Sequence, residues 1–357
     1  MRRSMIELES IWEDYGLDKL QEGMRTLFPE SSISLSDLMS EIMTGDILGA
    51  LSKLLQGSIA GIAGQLTGMR NIFVWLLVLG IVSALMAHFV EVFDRHQIAD
   101  MAFYFMYLLF SAILLKCFSQ AAQTAVETIE NIVLFIKLLV PTYLIAVGVS
   151  TGSTTVGAYY QLLLLIIYGV ENILTGAVIP FVYSHAMLSV INGIWMEEKL
   201  NLLIELLEKG IGWVLKAALG VVTGISVFQA VITPVIDSVK ASTLQKVISA
   251  IPGIGNAADG VVELVAGSAV VIKNTIGIAL LILLLLLCAA PLLKIFCIAC
   301  LLKGAAAFMG LVSDKRITAC ANRTGDAGML LFRTTGTALL LFLVTLSIVA
   351  TATNRGF

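Results

Sequence analysis

Long apolar stretches recur along this chain, and short polar connections separate them. One of them, residues 274–293, lies between Lys273 and Lys294 and holds 20 positions without a charged residue. A helix of about 20 residues crosses the roughly 30 Å hydrocarbon core of a lipid bilayer. The stretch therefore predicts a transmembrane helix, and its repetition along the chain predicts a polytopic membrane protein.

The whole pattern predicts an all-α fold, with about eight transmembrane helices in a domain of residues 67–353. Amphipathic interfacial helices accompany them. Residues 1–66 are amphipathic and acidic, and we expect an extracytoplasmic tail without a visible cleavable signal. Residues 193–209 carry leucines on one side, which predicts an amphipathic helix at the membrane surface. The expected spans are about 70–92, 99–119, 129–150, 159–192, 210–234, 268–290, 292–312 and 333–353.

Four prolines inside or beside the apolar runs are candidate kinks or hinges, because proline removes a helical hydrogen bond. They are Pro141, Pro180, Pro234 and Pro291. The run 159–192 would be roughly 50 Å long if wholly helical, which is too long for one upright span. We therefore expect a break or kink near Pro180, the end of a span at Pro234, and a separation of two spans at Pro291.

Polar side chains inside apolar runs are the candidate functional positions, because a charge in hydrocarbon is costly and usually faces protein or water. The candidates are Glu171, Asn172, Lys137 and Lys216. Either lysine is a possible partner of Glu171, and the sequence leaves that choice open. A structural ion pair and a transport or proton-relay role both fit this pattern.

Other local patterns have ordinary structural interpretations. Hydroxyl and glycine residues at 150–160 predict a turn, or else a polar element that lines a cavity. The Pro252-Gly-Ile-Gly segment lacks the lysine of a phosphate loop and predicts another turn. Cys297 and Cys300 have the spacing of a redox motif, but their apolar flanks favour buried thiols.

Composition narrows the function classes. Hydrophobic residues make up 58% of the chain and charged residues 13%, against about 25% charged in soluble domains. The formal net charge is -3, which gives no basic surface for nucleic acid. No catalytic constellation or metal-ligand spacing is visible, so we expect neither enzyme activity nor a cofactor.

Basic residues in short loops predict the orientation, because they concentrate on the cytoplasmic side. We expect both termini outside. This places Arg95, Lys240, Lys246, Lys315, Arg316 and Arg323 on the inner side, and Lys199, Lys209 and Arg355 on the outer side.

Four ordered segments carry a family resemblance. They are VGVSTGSTTVGAYYQ, VIPFVYSHAMLSVIN, PGIGNAADGVVELVAGSAVVIKNTIGIALLILLLLLCAAPLLKIFCIACLLKGAAAF and DKRITACANRTGDAGMLLF. In this order they resemble the stage III sporulation protein AE family of endospore-forming bacteria, over about residues 70–350.

The resemblance implies a component of the channel complex that the mother cell assembles in its membrane around the forespore. The implied partners are other membrane subunits of that complex and the lipid bilayer. The family offers no catalytic motif to carry over. Two alternatives stay open: a self-sufficient secondary transporter with a site near Glu171 and Pro180, and an anchor whose tail recruits partners.

Overall fold

The computed structural model is all-helical in the part of the chain that it describes. This part comprises residues 22, 23, 26, 74, 78, 80–82, 96–151, 161, 165–194, 199–248, 255–311 and 315–352. Most of the tail 1–66, most of the expected first span, nearly all of the 150–160 segment and the Pro252 turn lie outside these residues. Side chains are described chiefly over 101–139, 165–194, 199–224, 279–311 and 315–347.

Five α-helices and one π-helical segment make up the described fold. They are α1 (His96–Thr151), the π segment (Leu174–Val178), α2 (Ile179–Asn192), α3 (Asn201–Ile248), α4 (Gly255–Met309) and α5 (Lys315–Ala352). Residues 165–173 are also helical and lead directly into the π segment.

Helix α1 is one unbroken helix of 56 residues, where the sequence predicted separate spans at 99–119 and 129–150. The predicted gap is wrong because residues 120–128 contain no glycine or proline and are rich in alanine, glutamine and glutamate, which favour helix. At 1.5 Å per residue the helix is about 80 Å long, more than twice the thickness of a bilayer core.

The predicted helix boundaries at Pro234 and Pro291 are also wrong. Helix α3 continues through Pro234 to Ile248, and α4 continues through Pro291 to Met309. A proline inside a helix costs about 3 kcal/mol, but ending the helix in an apolar layer would leave several backbone groups without any partner. Continuing the helix is therefore the less costly solution.

The helix around Pro180 changes type instead of ending. The π segment Leu174–Val178 immediately precedes α2, and Pro180 lies in the first turn of α2. The Ile179 backbone N–H donates to the Leu174 carbonyl, which is the wider hydrogen bond of a π turn. The run thus contains a π turn within continuous helix, and the break or kink expected near Pro180 is not confirmed.

Helix α5 occupies the centre of the bundle and packs against α1, α2, α3 and α4. Large aromatic side chains fill the core: Tyr107, Phe110, Phe118 and Phe135 from α1, and Phe342 from α5. Four buried threonines of α5 donate to the carbonyl four residues earlier, so the helix itself satisfies them. They are Thr324, Thr334, Thr335 and Thr345.

Four segments of the described chain are long and apolar enough to cross a membrane. They are Phe103–Leu139, Leu165–Asn192, Ala279–Met309 and Lys315–Ser347. The number of spans expected from the sequence is therefore not confirmed within the described residues. The all-helical class is confirmed there.

Candidate functional site

Helices α4 and α5 form a closely packed antiparallel pair. A Cβ on Gly328 would lie 3.0 Å from Ala299 Cβ, and a Cβ on Gly325 would lie 2.6 Å from Lys303 Cγ. Lys303 Nζ contacts Asp326 Oδ1 at 2.6 Å across the same interface. Small residues allow this close approach, as is common between helices in membranes.

Contacts between helices place one end of α1, α2, α3 and α5 at the same level. The Tyr107 hydroxyl donates to the Val190 carbonyl at 2.6 Å, which joins α1 to the end of α2. The Arg316 guanidinium carbon lies 3.7 Å from the centre of the Phe103 ring, which joins α5 to α1.

The start of α3 lies at this level too, because Asn192 Nδ2 donates to Asn201 Oδ1 at 2.7 Å. We call this end of the bundle, which carries Phe103, Asn192, Asn201 and Arg316, the Arg316 end. The sequence predicted Lys199 and Arg316 on opposite sides of the membrane. The structure places both at the Arg316 end of the bundle, because α4 is one helix and returns the chain to this end. The side of the membrane that this end faces stays a prediction.

In three helices, α3, α4 and α5, a long uncharged stretch begins at about the same number of residues from the Arg316 end. The uncharged stretches are 217–236 of α3, 274–293 of α4 and 334–352 of α5. Lys216 and Arg333 each lie about 22–26 Å from the Arg316 end, counted along their helices. A Cβ on Gly336 would lie 4.0 Å from Leu292, which sets the start of the α4 stretch beside that of α5. We call this common level the apolar layer.

Helix α1 differs from the other three in the apolar layer. Counted from Phe103, Glu127 and Glu130 lie about 36 and 40 Å along the helix. Both side chains are exposed, and Gln123 Nε2 donates to Glu127 Oε1 at 2.8 Å. Two exposed carboxyl groups therefore lie within Phe103–Leu139, a segment apolar and long enough to cross a membrane.

Glu171 pairs with Lys137 and not with Lys216, the two partners that the sequence left open. Lys137 Nζ donates to Glu171 Oε2 at 3.2 Å, and the two side chains are 45% and 31% exposed. Lys216 lies on the exposed side of α3. Asn172 is also exposed, with Oδ1 beside Gly176 of the π segment. The ion pair thus lies next to the π turn.

A second polar residue of the core, which the sequence did not single out, is His185 of α2. The imidazole is fully buried, and neither ring nitrogen has a hydrogen-bond partner among the described residues. The available signal was the separation of His185 and Ser189 by one helical turn in an apolar helix, which is weak by itself.

The prolines and cysteines singled out in the sequence all lie within helices of the described chain. Pro141, Pro180, Pro234 and Pro291 all lie within helix. The cysteines of the redox-like spacing are free thiols on α4, with Cys300 exposed. No group of three or more histidine, cysteine or acidic side chains in the described part is arranged to hold a metal ion.

Comparison with known proteins assigns the chain to a family. The family model described as stage III sporulation protein AE matches residues 33–353, which is most of the sequence. The chain belongs to this family. Its match extends from the tail through the end of α5 and includes every helix described above.

The chain is similar to a protein of Bacillus subtilis (strain 168) that is named stage III sporulation protein AE. The two are 21% identical over 329 residues, which cover 92% of this chain and 82% of the relative. No solved structure matches this chain. Membership indicates a role in sporulation, and the family name denotes no enzymatic activity.

Proposed function

We propose that this protein is a non-enzymatic, multi-pass membrane subunit of the channel complex that joins the mother cell to the forespore and is required for endospore formation. The match of the sporulation family to residues 33–353 carries the proposal. Four long apolar helices agree with insertion in a membrane. The subunit acts by assembling with other integral subunits in the mother-cell membrane around the forespore.

The Arg316 end faces the cytoplasm of the mother cell in this proposal. Basic residues crowd this end in the loops and first turns, and basic residues concentrate on the cytoplasmic side of membranes. They include Lys199, Lys315 and Arg316. Helix α5 runs away from the Arg316 end, so the C-terminus is extracytoplasmic, as the sequence predicted.

Deletion of the gene in its own organism tests the function. We expect cells that complete engulfment but form few heat-resistant spores, and we expect a copy of the wild-type gene to restore them. Normal spore counts after deletion would refute the proposal. Co-purification from sporulating cells should bring other integral membrane proteins with this chain, whereas isolation of the chain alone would exclude a complex subunit.

A thiol-labelling experiment tests the orientation. Leu311 lies just after α4 at the Arg316 end and is 82% exposed. The Leu311→Cys variant should react with a membrane-impermeant maleimide only after the cells are opened. Cys300 is also exposed, so a chain with Cys300→Ser is the background. Labelling of Leu311→Cys in intact protoplasts would show that the Arg316 end faces away from the cytoplasm.

A stand-alone secondary transporter is the second candidate, and one observation favours it. The half-exposed Lys137–Glu171 ion pair lies beside a π turn, and π turns are frequent at functional sites. Transport by the purified protein in liposomes, abolished by Glu171→Gln, would support this function. An unchanged spore count in cells carrying Glu171→Gln, with no solute moved by the purified protein, would exclude it.

A further inference from the structure

The helix that runs from residue 165 through α2 carries one buried stripe, and this stripe has one residue too many for an α-helix. Its members recur once per turn: Ile167, Val170, Leu174, Val178, Val182 and Ala186. Ala186 follows Ile167 by 19 positions, whereas five turns of α-helix take about 18 residues. An unbroken α-helix would therefore turn one end of the stripe by about 100° relative to the other.

The π turn takes up the extra residue. Such a turn closes with a hydrogen bond from residue i+5 instead of residue i+4, and the Ile179 N–H donates to the Leu174 carbonyl in this way. Leu174 and Val178, the first and last residues of the π segment, are both buried. The stripe of residues 165–173 therefore stays in line with the stripe of α2.

An all-α connection of the same residues would rotate residues 165–173 relative to α2. One residue of α-helix corresponds to about 100° of rotation and about 1.5 Å of rise, so each residue before the turn would take the place of its predecessor. Glu171 would move to the buried place of Val170. Asn172 would take the place of Glu171 opposite Lys137. The all-α connection would thus bury a carboxylate away from its lysine, and an unpaired buried charge is costly.

Helix α1 contacts α2 and also carries Lys137, so the positions of α2 and Lys137 are fixed relative to each other. The rings of Phe118 on α1 and Tyr183 on α2 meet edge to face, with 5.3 Å between their centroids. Lys137 lies on the same unbroken helix as Phe118. The rotation of residues 165–173 about the helix axis therefore decides which side chain faces Lys137.

We propose that the π turn is a register device: its extra residue sets the rotation of residues 165–173 so that Glu171 meets Lys137 outside the core. The buried stripe maintains the turn, and Pro180 does not. Pro180 lacks the N–H that would bond the Gly176 carbonyl in an α-helix, which explains a local irregularity but not the additional residue in the stripe. The device positions the ion pair on which the second candidate function rests.

Deletion of a single residue tests whether one residue is in excess. The chain without Ala177, a residue of the π segment, should form a plain α-helix that retains the stripe and the ion pair. Its midpoint in SDS unfolding of the purified protein should equal or exceed that of the wild type. Met187 provides the matched control, because it is exposed and lies in the regular α-helix α2. Its deletion shifts part of the stripe by one residue and should lower the midpoint. A lowered midpoint without Ala177, or an unchanged midpoint without Met187, would overturn the proposal.

Cross-linking within one chain shows which residue faces Lys137. A short bifunctional thiol reagent should join Lys137→Cys to Glu171→Cys several-fold more than it joins Lys137→Cys to Asn172→Cys, because the two positions differ by about 100° around the helix. Both pairs are placed in a Cys300→Ser background, since Cys300 is exposed, and mass spectrometry of the digested protein identifies the linked peptides. Equal linking of the two pairs, or preferential linking at position 172, would refute the proposal.

The same two pairs distinguish the stripe from the proline as the cause of the π turn. Linking should still favour position 171 in the Pro180→Ala chain, because its stripe is unchanged, and in the chain without Ala177, because a plain α-helix then accommodates the stripe. A preference for position 172 in Pro180→Ala would show that the proline maintains the turn, which contradicts the proposal. The same preference after the deletion would show that Leu174–Val178 holds no excess residue and would contradict it as well.

Discussion

Two glycines of α5 allow one sharp test of the packing between α4 and α5. A Cβ on Gly328 would lie 3.0 Å from Ala299 Cβ and 3.2 Å from Ala299 Cα. A Cβ on Gly336 would meet its nearest neighbour, Leu292 Cδ2, at 4.0 Å. The same substitution, glycine to alanine, therefore meets a crowded site in one case and a roomy site in the other.

The expected free energies follow from two opposing effects. Alanine is favoured over glycine inside a helix by about 1 kcal/mol at either position. At Gly328, however, carbon atoms would come about 0.5 Å closer than their best separation, and overpacking of this kind costs about 1–3 kcal/mol. Gly336→Ala should therefore raise the free energy of unfolding by about 0.5–1 kcal/mol, and Gly328→Ala should leave it about 1–3 kcal/mol below that variant.

Reversible unfolding of the purified protein in mixed detergent micelles, followed by circular dichroism during SDS titration, measures this difference. The Ala299→Gly change removes the methyl group nearest to the new Cβ, so it should recover part of the loss in a double-mutant cycle with Gly328→Ala. A Gly328→Ala variant as stable as Gly336→Ala, or one whose loss is independent of Ala299, would refute the close packing of these helices.

Three further predictions concern polar contacts. Lys137→Met should reduce the yield of folded protein on size-exclusion chromatography, and adding Glu171→Gln should recover part of that yield. Additive losses from the two changes would contradict the 3.2 Å pair. Tyr107→Phe should lower the free energy of unfolding by about 1 kcal/mol through one lost hydrogen bond, and an unchanged SDS midpoint would argue against that bond. The hydrogen bond from Lys209 holds the pKa of Glu205 below its usual value. The pair therefore stabilises the start of α3 at pH values above the usual carboxyl pKa, and this stabilisation is lost as the pH falls through the lowered pKa. Amide hydrogen exchange at the start of α3 should show this pH dependence, and Glu205→Gln should abolish it.

The helical class and the positions of the apolar segments could be predicted from the sequence, because both depend on composition along a single helix. The uncharged stretch between Lys273 and Lys294 lies inside α4, as expected. The ends of helices could not be predicted in the same way. Proline usually ends or kinks a helix in water, but in an apolar environment the backbone groups near Pro291 would have no other hydrogen-bond partners if the helix ended.

Contacts between residues far apart in the sequence also could not be predicted. Lys137 and Lys216 were equally suitable partners for Glu171 by charge and depth, and only the packing of the helices selects Lys137. The same holds for the complete burial of His185, which depends on the packing of the helices around it. From the sequence, Glu171 was expected to face protein or water, because a charge in hydrocarbon is costly.

The unbroken length of α1 has a mechanical consequence. A single α-helix of 56 residues is a stiff rod, because every internal turn is held by hydrogen bonds that resist bending. Its first turns lie at the Arg316 end, and its carboxyl groups lie roughly 40 Å further along. A force that tilts the helix at the Arg316 end must therefore also move Glu127 and Glu130 at the other end of the same rigid element.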